Sequence, residues 1–391
     1  MTRMNADVAV VGGGIHGCSA ALHLSRRGYK VIQIEKDRVG QHASGVNAGG
    51  VRRLLRHPVE IPLACAAMEL WRNVRDLVGD DCEFQQRGQV AVAEDEEDLS
   101  RLKARVALLR SLGYEHEELL DRDGLFEVIP AVARSCTGGL ISRSDGFVNP
   151  YHATLAFARA AVDRGVQALA PARATGFRRQ AGVWRIETTC GQVEAEFLVN
   201  CAGAWGGAVA AALGEPVPVE PIAPMLMVCA RLPRFLEPVV IGTGRKLTFK
   251  QMPNGTVIIG GGHLGGVDTV RQETELDFAR LSASARTVLD LFPIMRQATL
   301  VRAWSGIEGR MPDNLPVIGP SRTEENAFHS FGYSAHGFQL GPIVGALIAE
   351  FVDTRQTSLP IGGFAITRFR DARCGSSAGS VDRGSLHVIS H

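Results

Sequence analysis

The sequence predicts an α/β plus α+β protein. A discontinuous, Rossmann-like dinucleotide-binding domain carries an inserted substrate domain built on a large, mainly antiparallel sheet. Three observations lead there. An apolar strand, Asp7–Val11, runs into Gly12, Gly14 and Gly17 at G-x-G-x-x-G spacing, and a helical pattern follows at Ala20, Ala21, Leu22 and Leu24. The same strand-to-small-residue character returns at Val199–Trp205 and again beyond Trp304. Between these, Met225 to about Gly306 is strand-rich. The expected boundaries are 1–82, 147–216 and 306–370 for the dinucleotide domain and 83–146 and 217–305 for the inserted one. The polar residues 371–391 are expected to form a disordered tail.

Each element has a local reason. Gly12 permits the tight turn, Gly14 lets a pyrophosphate approach the backbone, and Gly17 lets the helix pack on the strand. Ile15 and His16 open the helix, whose N-terminus offers unpaired N–H groups to phosphate. The second strand, Tyr29–Ile34, ends at Glu35, placed to accept hydrogen bonds from ribose hydroxyls, with Lys36 beside it. A Gly-rich loop, Val39–Gly50, leads to a helix from about His57 to Val78, then a strand at Val90–Ala93. Asp95–Leu112 is an amphipathic helix whose acidic start suits the helix dipole better than a metal. Pro150 opens a helix over Tyr151–Gly165. Two ribbon segments, Ala172–Thr189 and Gln192–Asn200, precede a short helix at Ala208–Leu213. Pro216, Pro218, Pro221 and Pro224 mark a boundary. Pro253-Asn254-Gly255 predicts a hairpin, Asp277–Leu291 a helix, Ala327–Phe331 a strand and Pro342–Phe351 an apolar helix.

Gly260, Gly262 and Gly265 repeat the G-x-G-x-x-G spacing, but no apolar helical stripe follows. One dinucleotide site is therefore expected. A net charge of +1 argues against nucleic acid or an anionic membrane as the main partner. No apolar run reaches the roughly 18 residues a membrane span needs. The eight cysteines show no C-x-x-C, which fits reduced thiols without a zinc or iron–sulfur site. No signal peptide precedes the first strand, so the expectation is a cytoplasmic protein with no metal. Only five lysines are available as catalytic candidates: Lys30, Lys36, Lys103, Lys246 and Lys250.

As an ordered set, the motifs resemble the FAD-dependent family of D-amino-acid, sarcosine and glycine oxidases. The likeness spans roughly residues 6 to 355. It rests on the first glycine loop with Glu35 and on the Ser44–Gly50 loop with Gly45, Asn47, Ala48, Gly49 and Gly50. It rests also on Ala202-Gly203-Ala204-Trp205, on Pro316–Gly319, and on Gly332–Phe338 with Gly337. The resemblance implies non-covalent FAD, because neither a cysteine near Gly306 nor a histidine at Asn47 is available for attachment. It also implies that the Gly332–Gln339 block meets the flavin pyrimidine, where charge develops on reduction. Asp313 and Pro316 are alternatively read as simple turn formers.

Arg53-Leu54-Leu55-Arg56 looks like the R-x-x-R segment of monomeric sarcosine oxidases. There the second arginine grips the substrate carboxylate and the first lies by the flavin. Both are expected at the start of a helix; the alternative is a solvated basic turn. His263 falls where that family carries an active-site histidine, and is equally read as structural. His42 resembles the loop histidine of D-amino-acid dehydrogenases, and His336 lies in the flavin-facing block. Gln339 stands where sarcosine oxidases carry a carboxylate-binding lysine, which points away from N-methylglycine. The position of the lysine associated with oxygen activation falls on an apolar strand near Ile259. Lys250, on the facing hairpin strand, is read as a surface lysine, with substitution for that lysine as the alternative, and the absence favours a dehydrogenase. The resemblance thus implies oxidation of an amino acid or N-substituted amino acid at a C–N bond, with electrons passing to a quinone or partner protein. Variants are the flavin subunit of a heteromeric opine, proline or hydroxyproline dehydrogenase, a 2-hydroxy-acid dehydrogenase of the same fold, and a scaffold chain that binds FAD without turning over.

Overall fold

A computed structural model describes residues 2–369, so the tail expected from 371 lies outside the described residues. Two large sheets organise the chain. In the first, the order is Val317–Pro320, Ala327–Phe331, Gly191–Asn200, Arg3–Val11, Val31–Ile34, Gln167–Leu169. Its central pairings are parallel, with Val8 opposite both Phe197 and Val31. Val8–Val11 are buried on both faces, as a central parallel strand requires, which explains an apolar run without alternation. Ala174–Gln180 and Val183–Thr188 form an antiparallel hairpin that joins this sheet through Gly191–Asn200. The helix Ile15–Arg26 packs on the long helix Gly341–Thr354. A Cβ on Gly341 would come within 2.6 Å of Ile15, so glycine sets how closely these helices approach.

The second sheet runs Leu300–Ser305, Met225–Cys229, Val257–Gly260, Thr248–Gln251, Val239–Gly242, Gln89–Ala93, Gly138–Ser142, Glu118–Leu120. Its pairings are antiparallel except Val239–Gly242 with Gln89–Ala93. Side chains alternate between its faces with a period of two. Val90, Val92, Val240 and Phe249 enter a core shared with the helices Arg122–Val128 and Phe278–Leu291. On the other face, Ala91, Ala93 and Ile241 meet Leu99, Leu102 and Val106 of the helix Glu96–Ser111. That helix covers only part of the face. Gln89, Val239, Ile241, Thr248 and Lys250 are left to form a wall.

Most expected elements are present. Asp95 and Asp277 cap their helices, accepting from the N–H groups of Asp98 and Arg280. Strands Thr248–Gln251 and Val257–Gly260 flank the Pro253–Gly255 turn. After Gly260 the chain forms a small hairpin, Gly266–Asp268 with Glu273–Glu275, and no helix. The stretch from His57 differs from expectation: it divides into a 3-10 turn, Pro58–Glu60, and two helices, Ile61–Arg72 and Val74–Val78. Asn73 breaks the second junction, its side-chain amide donating to Glu69 O. No helix among the described residues is long and apolar enough to cross a membrane.

Candidate active site

A cleft of about 510 Å³ runs between the sheets, with residues of both on its walls. At one end lie Gly12, Gly14, Ile15, His16, Glu35, Lys36 and Ser44. Gly12 has φ +118°, and a side chain there would overlap Cys201 O. Gly17 is not on the cleft wall; its missing side chain lets the helix start pass close to Gly12. Glu35 accepts the Gly13 N–H at 2.6 Å and the Asp37 N–H at 2.7 Å. Each carboxylate oxygen keeps a lone pair for a ribose hydroxyl. Ser44 Oγ accepts the Ile15 N–H at 2.9 Å, which ties the loop to the helix N-terminus.

Lys36, His42 and Trp205 form one group on this wall, next to Ala202 and Gly203. Lys36 Nζ sits 3.8 Å from the Trp205 ring centroid and 3.1 Å from His42 Nε2, and bonds Asp37 and Gln272. His42 Nε2 lies 2.9 Å from Asp37 Oδ2. These contacts join His42 to the end of the second strand, and none of them is to Arg56 or His336. In the following loop, Asn47, Ala48 and Gly50 line the cleft, while Gly45 and Gly49 pack behind it against Gly40 O and Val148 O. Asn47 holds the loop, donating to Ala43 O and Ser44 O and accepting from Gly49 N–H. Gly306 packs against Val46, so a side chain there has no room.

At the other end, Gly332, Gly337 and Phe338 line the cleft. Ser334 and Ala335 take φ of +53° and +67°, a left-handed turn made without glycine. Three bonds staple it: Met311 N–H to Ser334 Oγ, Ser334 N–H to Gly309 O, and Ala335 N–H to Glu308 Oε1. His336 Nδ1 lies 2.8 Å from Ser334 O, and its Nε2 lies 3.1 Å from Glu60 Oε1. Both ring nitrogens face acceptors, which fixes how the ring is oriented between the turn and Glu60. Burial works to raise the Glu60 carboxyl, but His336, Arg56 and Arg52 hold it at about 2.

Arg56 is buried on the cleft wall beside this pair. Its Nη2 donates to Gln339 Oε1 at 3.1 Å and its Nε to Arg52 O at 3.2 Å. Nη1 makes no hydrogen bond and sits 3.6 Å from Glu60 Oε1. Burial lowers the Arg56 guanidinium against the pull of Glu60 and Asp145. Gln339 does not line the cleft. It is wholly buried behind Arg56, its side-chain amide donates to Ala64 O at 2.7 Å, and its backbone carbonyl accepts the Trp71 indole N–H.

Further expectations need correction. Arg53 turns away from the cleft, its Nε 3.4 Å from the buried Asp145, whose other oxygen accepts the N–H groups of Arg53 and Leu54. Residues 52–57 are a turn and not a helix start, with Leu55 at φ +58°, and that register puts Arg52 on the wall with Arg56. His263 is not on the cleft wall. Gly261 and Gly262, at φ +131° and +77°, turn the chain after its strand, and burial lowers the His263 imidazole, with Lys246 and Arg280 adding to the effect. Lys250 is no surface lysine: it is 2% exposed and lines the cleft. Sequence reasoning also missed Arg52, Glu60, Gln89 and Glu308. Glu60 had a signal, since it stands four residues after Arg56. Glu308 had none, because only the fold brings it to the turn at Ala335. Asp313 is a turn former, accepting from Leu315 N–H and pairing with Arg368.

The chain is 26% identical over 408 residues to hydrogen cyanide synthase subunit HcnC of Pseudomonas aeruginosa, with 93% of this chain and 96% of that one covered. It is 27% identical over 371 residues to glycine oxidase of Geobacillus kaustophilus, with 93% and 97% covered. Its fold matches the crystal structure of L-proline dehydrogenase from P. horikoshii with a TM-score of 0.88 at 24% identity, over 95% of this chain and 99% of that chain. The profile of the DAO family, FAD dependent oxidoreductase, matches residues 7–351, and the chain belongs to that family.

Proposed function

We propose that this FAD-dependent oxidoreductase oxidises the C–N bond of an amino acid or N-substituted amino acid. The product is an imine, which water hydrolyses to an oxo acid or aldehyde plus an amine. One observation carries the reading: a buried arginine on the cleft wall, Arg56, has a terminal nitrogen with no hydrogen bond. A substrate carboxylate satisfies it, and a charge-assisted pair is stronger than a neutral one. Gly12, Gly14, Glu35 and Ser44 would hold the ADP half of FAD, and Asn47, Ala48, Gly337 and Phe338 the remainder. FAD, when bound, supplies the hydride acceptor. The chain supplies the rest: Gln339 fixes the Arg56 fork, Glu60 balances Arg56 and orients His336, and Arg52 adds positive potential. With Lys250 on the wall, a lysine-free site no longer favours a dehydrogenase over an oxidase, and the proposal is confined to the C–N oxidation.

Anaerobic mixing with D-, L- and N-alkyl amino acids, followed by flavin absorbance, tests this directly; bleaching by hydroxy acids alone would overturn it. Arg56→Ala should raise KM for carboxylate substrates about 10- to 100-fold, the worth of a hydrogen bond to a charged group. An unchanged KM would remove Arg56 from the clamp. A second reading, a flavin subunit within a larger assembly, is favoured by exposed Val270, Phe278, Leu300 and Val301, the last two on the edge strand Leu300–Ser305. The relative HcnC is itself named a subunit. Co-purification of a second chain from the native source would support it.

A further inference from the structure

Lys250 is a buried amine on the cleft wall that the mechanism above leaves unused. Alternation along Thr248–Gln251 sends Phe249 into the core, its ring 4.5 Å from that of Phe292, and turns Lys250 to the cleft beside Thr248, Val239 and Ile241. Its Nζ donates to Ala48 O, in the loop that borders the cofactor site, and lies 4.3 Å from the Phe147 ring centroid. The flanking strands Val239–Gly242 and Val257–Gly260, the strand Gly146–Phe147 and residues 47–50 contain no ionisable side chain. Among the described residues, no carboxylate lies within ion-pair distance of Lys250. The charged groups elsewhere on the cleft are Glu35, Lys36, Arg38, Arg52, Arg56, Arg173 and Glu308, with His16, His42 and His336. An ammonium ion so placed has given up water without gaining a counter-ion.

We propose that Lys250 is a catalytic base, taking from the substrate ammonium the proton that must leave before the C–N bond can be oxidised. This rests on the function proposed above. The substrate nitrogen loses its proton to the neutral Lys250 amine, and the freed lone pair becomes the second C–N bond as the C–H bond breaks. With FAD bound, the hydrogen would leave with both C–H electrons to the flavin, oxidising the substrate by two electrons and reducing the flavin by two. The proton on Lys250 passes to solvent after the imine departs. Ala48 O and the Phe147 ring stabilise the charged amine while it holds the proton. Burial pulls Lys250 down to about 7, which matches an acceptor working at neutral pH. His336 is less suited to this role, because both of its ring nitrogens are already directed at Ser334 O and Glu60 Oε1.

Two measurements decide it. In apoprotein carrying 13C-lysine, one of five lysine ε-carbon signals should titrate near pH 7 and vanish in Lys250→Met; a midpoint near 10 would overturn the proposal. In the holoenzyme, the anaerobic flavin-reduction rate should rise with pH through an inflection near 7. Lys250→Met, with FAD content unchanged, should lose that inflection, slow at least about tenfold at pH 7, and recover as the substrate amine deprotonates at higher pH. A variant within twofold of wild type at pH 7, or one slowed only in reoxidation by oxygen, would overturn it. If no amine bleaches the wild-type flavin at any pH, the proposed function fails instead.

Discussion

Arg56 can serve as an anchor only because other side chains fix where its fork points. Gln339 occupies one terminal nitrogen and leaves the other free, and its own amide is held by Ala64 O. Gln339→Leu should therefore raise KM for carboxylate substrates about fivefold to tenfold and cost about 1–3 kcal/mol of stability through the unpaired Arg56 and Ala64 groups. Steady-state kinetics beside thermal melts test this; a loss of stability with KM unchanged would make Gln339 purely structural. Residue identity was legible where the chemistry is local. Gly12 needs a positive φ and close approach to Cys201, and the spacing alone announces it. Lys250 was also within reach, because alternation in Thr248-Phe249-Lys250-Gln251 opposes it to an aromatic core residue. Its chemistry was not, since the uncharged surroundings come from Ala48 and Phe147, distant in sequence.

Between the Ser44–Gly50 loop and the helix Ile61–Arg72, the segment 52–57 shows how an element escapes sequence reading. Arginines at 53 and 56 suit one face of a helix, yet the helix starts only at Ile61. Asp145, about ninety residues on, accepts the N–H groups of Arg53 and Leu54, and Glu117 accepts that of Leu55 at 2.8 Å. These distant acceptors hold the turn and decide that Arg52, not Arg53, reaches the cleft. Asp145→Ala should cost about 1–3 kcal/mol, the worth of leaving the Arg53 and Leu54 N–H groups without an acceptor, and should raise KM by displacing Arg56. Denaturant unfolding and kinetics on the purified variant measure both. A cost under about 1 kcal/mol would mean the turn holds itself. The same logic governs the turn at Ser334–Ala335: its residues were legible as a block, but its geometry depends on Glu308 and Gly309 of the strand Glu308–Arg310 and on Met311 just after it.

For the molecule as a whole, buried ionisable groups set a pH window. Burial lowers His16 from 6.5 to about 3 and His23 from 6.5 to about 4, so the folded state resists protonation and stability falls as pH drops below 6.5. Glu60 and Glu215 are held at about 2 instead of 4.5, and their contribution, full above 4.5, is lost as pH falls towards 2. Glu308 opposes them: burial raises it from 4.5 to about 7, so its contribution is lost as pH rises through that range. On the alkaline side, burial raises Cys18 and Cys201 from 9.0 to about 12, and their contribution fades above 9. Lys250, lowered from 10.5 to about 7, instead costs stability at neutral pH and returns it as pH climbs to 10.5. Two histidines and two glutamates outweigh one glutamate below pH 6.5, while above 9 the thiols offset the lysine. Thermal melting of the apoprotein should therefore peak between pH 7 and 9 and decline steadily from pH 6 to 4. Lys250→Met should melt higher than wild type at pH 7, with the gap narrowing by pH 10, because only the wild-type chain must keep an amine neutral below its ordinary value. A gap that stays constant across that range would mean Lys250 titrates as an ordinary lysine, and the cleft would then hold an ammonium ion at every working pH.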